Sequence, residues 1–143
     1  MTKPHRTVLG FDYGSTKMGI AVGQNITATT SPLVTIRVCD ADPDWKTISQ
    51  LISSWAPDDL VVGMPLNMDG TEHALTDAAR RFQRQLEERY HLPVHLVDER
   101  LTSIEANHIL ASRGKRKRPY TKESKEQLDQ IAAQLIIETW FNQ

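Results

Sequence analysis

The stretch Val8–Val22, reading VLGFDYGSTKMGIAV, limits what this chain can fold into more than any other. Two apolar runs flank a polar turn that contains Gly14, which is the pattern of a β-hairpin. Asp12 interrupts the first run, where aspartate is normally depleted. A carboxylate at the end of a buried strand costs solvation unless a positive group meets it. Two readings fit. Asp12 binds a divalent cation, or it opens the turn and hydrogen-bonds its own backbone. The stretch alone leaves both open.

The rest of the chain builds outward from that hairpin. Leu33–Val38, after Pro32, is rich in β-branched residues and makes a third strand, so the first three strands form an antiparallel meander. Asp42-Pro43 reads as a helix start, with Asp as the cap and Pro at the first helical position. Trp45, Ile48, Leu51, Ile52 and Trp55 then recur at helical spacing as far as Pro57. Leu60–Gly63 is a short continuous apolar run, expected of a strand buried on both faces. Residues 64–71 form a loop by their Pro, Asn, Asp and Gly content. Leu75, Ala78, Ala79, Phe82 and Leu86 mark the next helix, with Arg80, Arg81 and Arg84 on its exposed side. Val94–Val97 is a strand that runs straight into Asp98-Glu99-Arg100. Thr102-Ser103-Ile104-Glu105 is a capping box opening a helix that ends near Ser112. The last helix opens at Ser124 and carries a stripe of Leu128, Ile131, Ala132, Leu135 and Trp140.

Strands separated by helices must pair in parallel. The expected architecture is therefore α/β: a mixed sheet of about five strands, helices on both faces, and one domain spanning 1–143. In such sheets ligands bind beyond the carboxyl ends of the parallel strands. Glu99 and the loop at 64–71 lie at that edge.

Composition narrows the setting. At 39% hydrophobic and 24% charged residues, the chain reads as a soluble globular protein with material for one core. Its single cysteine, Cys39, excludes an internal disulfide, fits a reducing compartment and reads as a small packed thiol. The first residues show no apolar signal segment, and no apolar run approaches the ~20 residues of a membrane span, so the cytoplasm is expected.

Three carboxylates break their local patterns: Asp12, Glu99 (with Asp98 beside it) and Asp129, which lies beside an apolar stripe next to the small residues Ala132 and Ala133. Each has a plainer role. Asp129 suits the positive end of its helix, and Glu99 suits Arg100 or a helix start. Gathered on one rim, they would hold Mg²⁺ or Mn²⁺, since hard cations prefer oxygen ligands. A pair of such ions activates water against a phosphodiester. Without metal, the like charges would raise one another's pKa.

The segments Phe11-Asp12-Tyr13-Gly14, Val62-Gly63-Met64-Pro65-Leu66-Asn67-Met68-Asp69-Gly70, Val97-Asp98-Glu99-Arg100-Leu101-Thr102-Ser103 and Asp129-Gln130-Ile131-Ala132-Ala133 together resemble the successive motifs of the YqgF/RuvX family, in order and over nearly the whole chain. The resemblance implies an RNase H-like fold related to Holliday junction resolvases. It implies a nuclease acting on the 5′ end of pre-16S rRNA, with Asp12, Glu99 and Asp129 as catalytic, metal-binding residues and Asp98 as a further ligand. The implied partner is structured RNA on the pre-ribosome, or branched DNA, and the implied state is a monomer or homodimer.

A basic run supports a nucleic-acid partner. Arg113, Lys115, Arg116, Lys117 and Arg118 hold five of the 17 basic residues in one short segment, and concentrated charge of this kind attracts phosphate backbones. A solvated surface loop accounts for the same run. Lys17, Asn67 and Arg100 lie where they can touch a phosphate. Two other classes compete. Asp12-Tyr13-Gly14-Ser15-Thr16 also resembles the first phosphate loop of sugar kinases and actin-like ATPases, but 143 residues leave no room for their second lobe. A non-catalytic binding module in ribosome assembly fits the same charges.

Overall fold

The computed structural model describes residues 6–65, 74–98 and 122–142. The hairpin predicted at the N-terminus is present: β1 (Thr7–Tyr13) pairs antiparallel with β2 (Lys17–Gln24), placing Asp12 opposite Gly19. β3 (Thr29–Cys39) continues the meander against β2. β5 (Asp59–Met64) and β6 (Val94–Asp98) add in parallel on the far side of β1.

A short strand, β4 (Asp42–Pro43), pairs with Val38–Cys39, and the full order is β4-β3-β2-β1-β5-β6. The sheet thus has six strands where five were expected. The helix start at Asp42-Pro43 is corrected with it. Asp40 and Ala41 both adopt positive φ, 51° and 63°, and make a tight turn that folds Asp42-Pro43 back along β3. Proline is tolerated there because β4 is an edge strand. The cap of the following helix, α1 (Trp45–Trp55), is Asp44, whose carboxylate accepts from the Thr47 backbone N–H at 3.2 Å and its hydroxyl at 2.7 Å.

Alternation along the strands separates two faces. Leu9, Phe11 and Tyr13 of β1 and Met18, Ile20 and Val22 of β2 pack with Ile48 of α1 and with Ala79, Phe82 and Leu86 of α2 (Ala74–Tyr90). Phe82 anchors this layer, its ring centroid 5.5 Å from Phe11, 5.3 Å from Tyr13 and 5.6 Å from Trp45. Trp55, expected in the same stripe, is 39% exposed at the end of α1. Cys39, expected to be packed, is exposed at the end of β3.

The opposite face carries Val8, Ala21, Val61 and Val97, covered by Ala133, Ile136 and Ile137 of α3 (Lys122–Phe141). The stripe expected to be buried is buried at Ile131, Ala132 and Leu135, which with Leu128 form a cluster separate from the sheet-facing one, while Trp140 packs with the sheet-facing side. Apolar residues thus occupy two sides of α3, as in helices buried more than half-way round. Among the described residues no helix is long and apolar enough to cross a membrane.

Candidate active site at the carboxyl edge of the sheet

β1, β5 and β6 run parallel, so their carboxyl ends share one edge. Asp12 comes one residue after Phe11, which is in register with Val62 of β5. It follows Val8 and Gly10 in the alternation and so lies on the face that α3 covers.

α3 comes unusually close to the sheet there. A methyl group placed on Gly19 would lie 2.2 Å from the backbone oxygen of Asp129 and 2.3 Å from its carbonyl carbon. On Gly10 and Gly23 the same group would lie 2.5 Å and 2.6 Å from side-chain atoms of Ile137. Only glycine at position 19 leaves room for the helix backbone. Because Gly19 is the register partner of Asp12, the seat that receives Asp129 is beside Asp12. The chain thereby brings two carboxylates from its opposite ends to one point.

Their electrostatics show this proximity. The Asp129 carboxyl is pushed up from 3.8 to about 6, first by burial and then by the charge of Asp12; Glu126 adds to the rise and Lys17 opposes it. Lys17 opens β2 on the same face, its Nζ 3.9 Å from Glu126 Oε1. Two oxygen-donor groups that resist being charged together are the set a divalent cation relieves, so the donors present fit Mg²⁺ or Mn²⁺. Among the described residues no three His, Cys, Asp or Glu side chains group closely enough to hold an ion on their own. Glu99, the third expected carboxylate, lies outside the described residues, as do Asn67, Arg100 and the basic run with Arg113, Lys115, Arg116, Lys117 and Arg118.

Asp98 ends β6 in register with Met64. It alternates with Val94 and Leu96, which pack toward α1 and α2, and so belongs to the face opposite Asp12. Three contributors escaped sequence reasoning: Glu126, Thr35 and Gln130. The Thr35 hydroxyl donates to the Glu126 backbone carbonyl at 2.9 Å and accepts from Gln130 Nε2 at 3.2 Å, tying the start of α3 to β3. No local pattern marks such long-range bonds. The spacing Gly19-x-Ala21-x-Gly23 was the one available sign that β2 offers a flat seat.

A family model described as "RuvX: Holliday junction resolvase" matches residues 6–143. The chain belongs to the RuvX family. Among its RuvX relatives, a protein of Glaesserella parasuis named "Putative pre-16S rRNA nuclease" is 47% identical over 138 residues, covering 96% of this chain and 97% of that one. A Legionella pneumophila protein of the same name is 46% identical over 140 residues, covering 98% of each. Among solved structures, Thermus thermophilus RuvC in complex with a Holliday junction substrate superposes with a TM-score of 0.54 at 15% identity, covering 96% of this chain and 94% of that one. A fowlpox virus resolvase in complex with Holliday junction DNA gives 0.55 at 11% identity, covering 95% and 97%. The RuvX chain thus has the RNase H-like fold of these resolvases.

Proposed function

We propose that this chain is a metal-dependent nuclease that processes the 5′ end of pre-16S rRNA, built as a single RNase H-like domain over 1–143. The observation that carries the reading is that Asp12 and Asp129 share the α3 face, where burial and then the charge of Asp12 raise the Asp129 carboxyl. The shared name of close, full-length relatives supports the substrate.

Asp12 and Asp129, joined by Glu99, would hold Mg²⁺ or Mn²⁺. When bound, such ions supply Lewis-acid activation of water and neutralise charge developing on the phosphodiester. The chain's own residues do the rest. The glycine seat on β2, which lets the Asp129 backbone close onto Gly19, would keep Asp129 near Asp12. Lys17 tempers the negative potential beside them. Arg100, Asn67 and the basic residues from Arg113 to Arg118 draw in the phosphate backbone without reading its sequence. The family description favours a second reading, resolution of branched DNA. That reaction cuts two strands and calls for a symmetric dimer.

The test offers labelled precursor RNA and four-way DNA junctions to the chain with Mg²⁺, alongside Asp12→Asn. Cleavage of the RNA by the parent alone is expected. Cleavage of the junction with the RNA spared moves the assignment to the second reading. Undiminished cleavage by Asp12→Asn overturns the site, and binding without cleavage leaves a non-catalytic module.

A further inference from the structure

Next to the two carboxylates, the same face of the sheet turns basic. Lys17 opens β2, and its register partner across the β2–β3 ladder is Arg37. Like charges set directly opposite on neighbouring strands repel one another. Arg37 is exposed and makes no ion pair among the described residues. Lys17 has Glu126 at 3.9 Å, a long contact that leaves Arg37 without a carboxylate of its own among the described residues. Together with Thr16, Thr35 and Cys39, these three residues line an open cavity of about 400 Å³. Its floor is held firmly. The Val38 N–H donates to the Thr16 carbonyl at 2.9 Å, and Thr35 is bonded to both Glu126 and Gln130 of α3. Two strand spacings, about 10 Å, separate β3 from β1 and its Asp12.

We propose that Lys17 and Arg37 form a phosphate subsite that receives the nucleic-acid backbone as it leaves the acidic rim and crosses β2 and β3. The inference rests on the reading of the chain as a nuclease and gives its substrate a path. The strand would pass from Asp12 and Asp129 toward β3, with a phosphate between the two cations a short way from the scissile bond. A guanidinium presents paired donors to phosphate oxygens, whereas the ammonium acts as a point charge. Arg37 is therefore the stronger contact of the two.

The experiment measures binding of fluorescent precursor RNA across a salt series, in an Asp12→Asn background that leaves the RNA intact. Arg37→Gln should weaken binding about ten-fold at low salt. It should also lower the slope of log affinity against log salt by about one. Arg37→Lys should recover most of that slope. Arg84→Gln makes the same charge change on the exposed side of α2, across the sheet, and should leave both readings alone. Cys39, exposed in the cavity, reports occupancy independently: bound RNA should slow its alkylation by iodoacetamide, and Arg37→Gln should remove that protection. Unchanged affinity and slope in Arg37→Gln, an equal loss in Arg84→Gln, or no RNA binding by the parent would each overturn the subsite. RNA binding that depends on Arg37, in a parent that never cleaves, would sink the nuclease reading and leave the subsite standing. Cleavage by a parent whose binding ignores Arg37 would do the reverse.

Discussion

Asp59 opens β5 at one edge of the sheet, and Asp12 closes β1 at the other. Both lie on the face covered by α3, but Asp59 is paired with basic groups, while Asp12 shares its part of the face with a second carboxylate. Asp59 is 2% exposed and fully engaged. Arg6 Nε and Nη2 each lie 2.7 Å from its Oδ2, and His95 Nε2 lies 3.1 Å from its Oδ1. The His95 ring in turn stacks on Trp140 of α3 at 4.7 Å. Asp59 holds Arg6 more firmly protonated than an isolated arginine, chiefly through their hydrogen bond. At the other edge Asp12 faces a second carboxylate, and the result is an Asp129 that resists ionising. One edge satisfies its carboxylate and so stabilises the fold. The other sets two carboxylates on one face, and the charge of Asp12 adds to the rise of Asp129, as the proposed metal site requires.

The sharpest way to break this contrast is to neutralise one carboxylate at each edge. Asp12→Asn should lower cleavage at least about a thousand-fold, the loss of roughly 4 kcal/mol of charge stabilisation at the reacting phosphate. Its thermal unfolding should be nearly unchanged. Single-turnover cleavage of labelled precursor RNA measures the first, and calorimetry the second. A large drop in Tm with activity retained would exchange the roles of the two edges.

The close approach of α3 at Asp129, on which the proposed site depends, requires Gly19. Gly19→Val should cost about 3 kcal/mol and cleavage with it, because the atoms it meets are backbone and cannot rotate away. Gly10→Ala meets chiefly the side chain of Ile137, which can shift, and only one backbone atom, the Ala133 oxygen at 3.0 Å, so it should cost less, about 1–2 kcal/mol. Urea unfolding of both variants checks the ranking, and equal costs would mean that α3 is not seated where Asp129 needs it.

These two glycines show what the chain disclosed before its structure and what it did not. The hairpin, the meander and the parallel strands were legible because apolar alternation and short apolar runs are local signals, and the same runs made Asp12 conspicuous. The buried stripe of α3 was legible, but not the second apolar side, Ala133, Ile136 and Ile137, that lies on the sheet. Ala132 looked as suitable as Ala133, and a helix that is apolar on two sides gives periodicity no direction to report. β4 was hidden because two residues carry no period and Asp-Pro imitates a helix start. The pairing of Lys17 with Arg37 escaped for a different reason. It depends on the β2–β3 register, and a shift in that ladder between Ile20 and Ala21 breaks the simple count from the turn.

At the satisfied edge, Asp59→Ala should destabilise the fold by about 2–3 kcal/mol. That is the low end for a broken buried pair, since Arg6 and His95 both reach solvent once released. Tm should fall by roughly 6–10 °C. Cleavage assayed below the new Tm should persist, and its loss would show that the two edges are coupled through α3 and Trp140.

The smallest effect discriminates best, because it reads the acidic edge without any substrate. Asp129 releases its proton near 3.8 when unfolded and at about 6 when folded. Between about pH 4 and 6 the folded chain therefore holds more protons than the unfolded one, and stability falls as pH rises through that window. Above it the penalty is complete, on the order of 1–2 kcal/mol once the solvent that reaches part of the carboxyl is allowed for. Other carboxylates titrate over the same range, so the quantity to follow is the Tm of the parent minus that of Asp129→Asn, in EDTA. That difference should become more negative from pH 4.5 to 7. Mn²⁺ should reverse it at pH 7, where both carboxylates are charged and a bound ion turns their repulsion into attraction, and should do little at pH 4.5, where Asp129 keeps its proton. The Asp59 edge, already paired with Arg6, should give Asp59→Ala the same Mn²⁺ response as the parent. A Mn²⁺ response that survives in Asp129→Asn would place the ion away from this pair, and the contrast between the two edges would then concern packing alone.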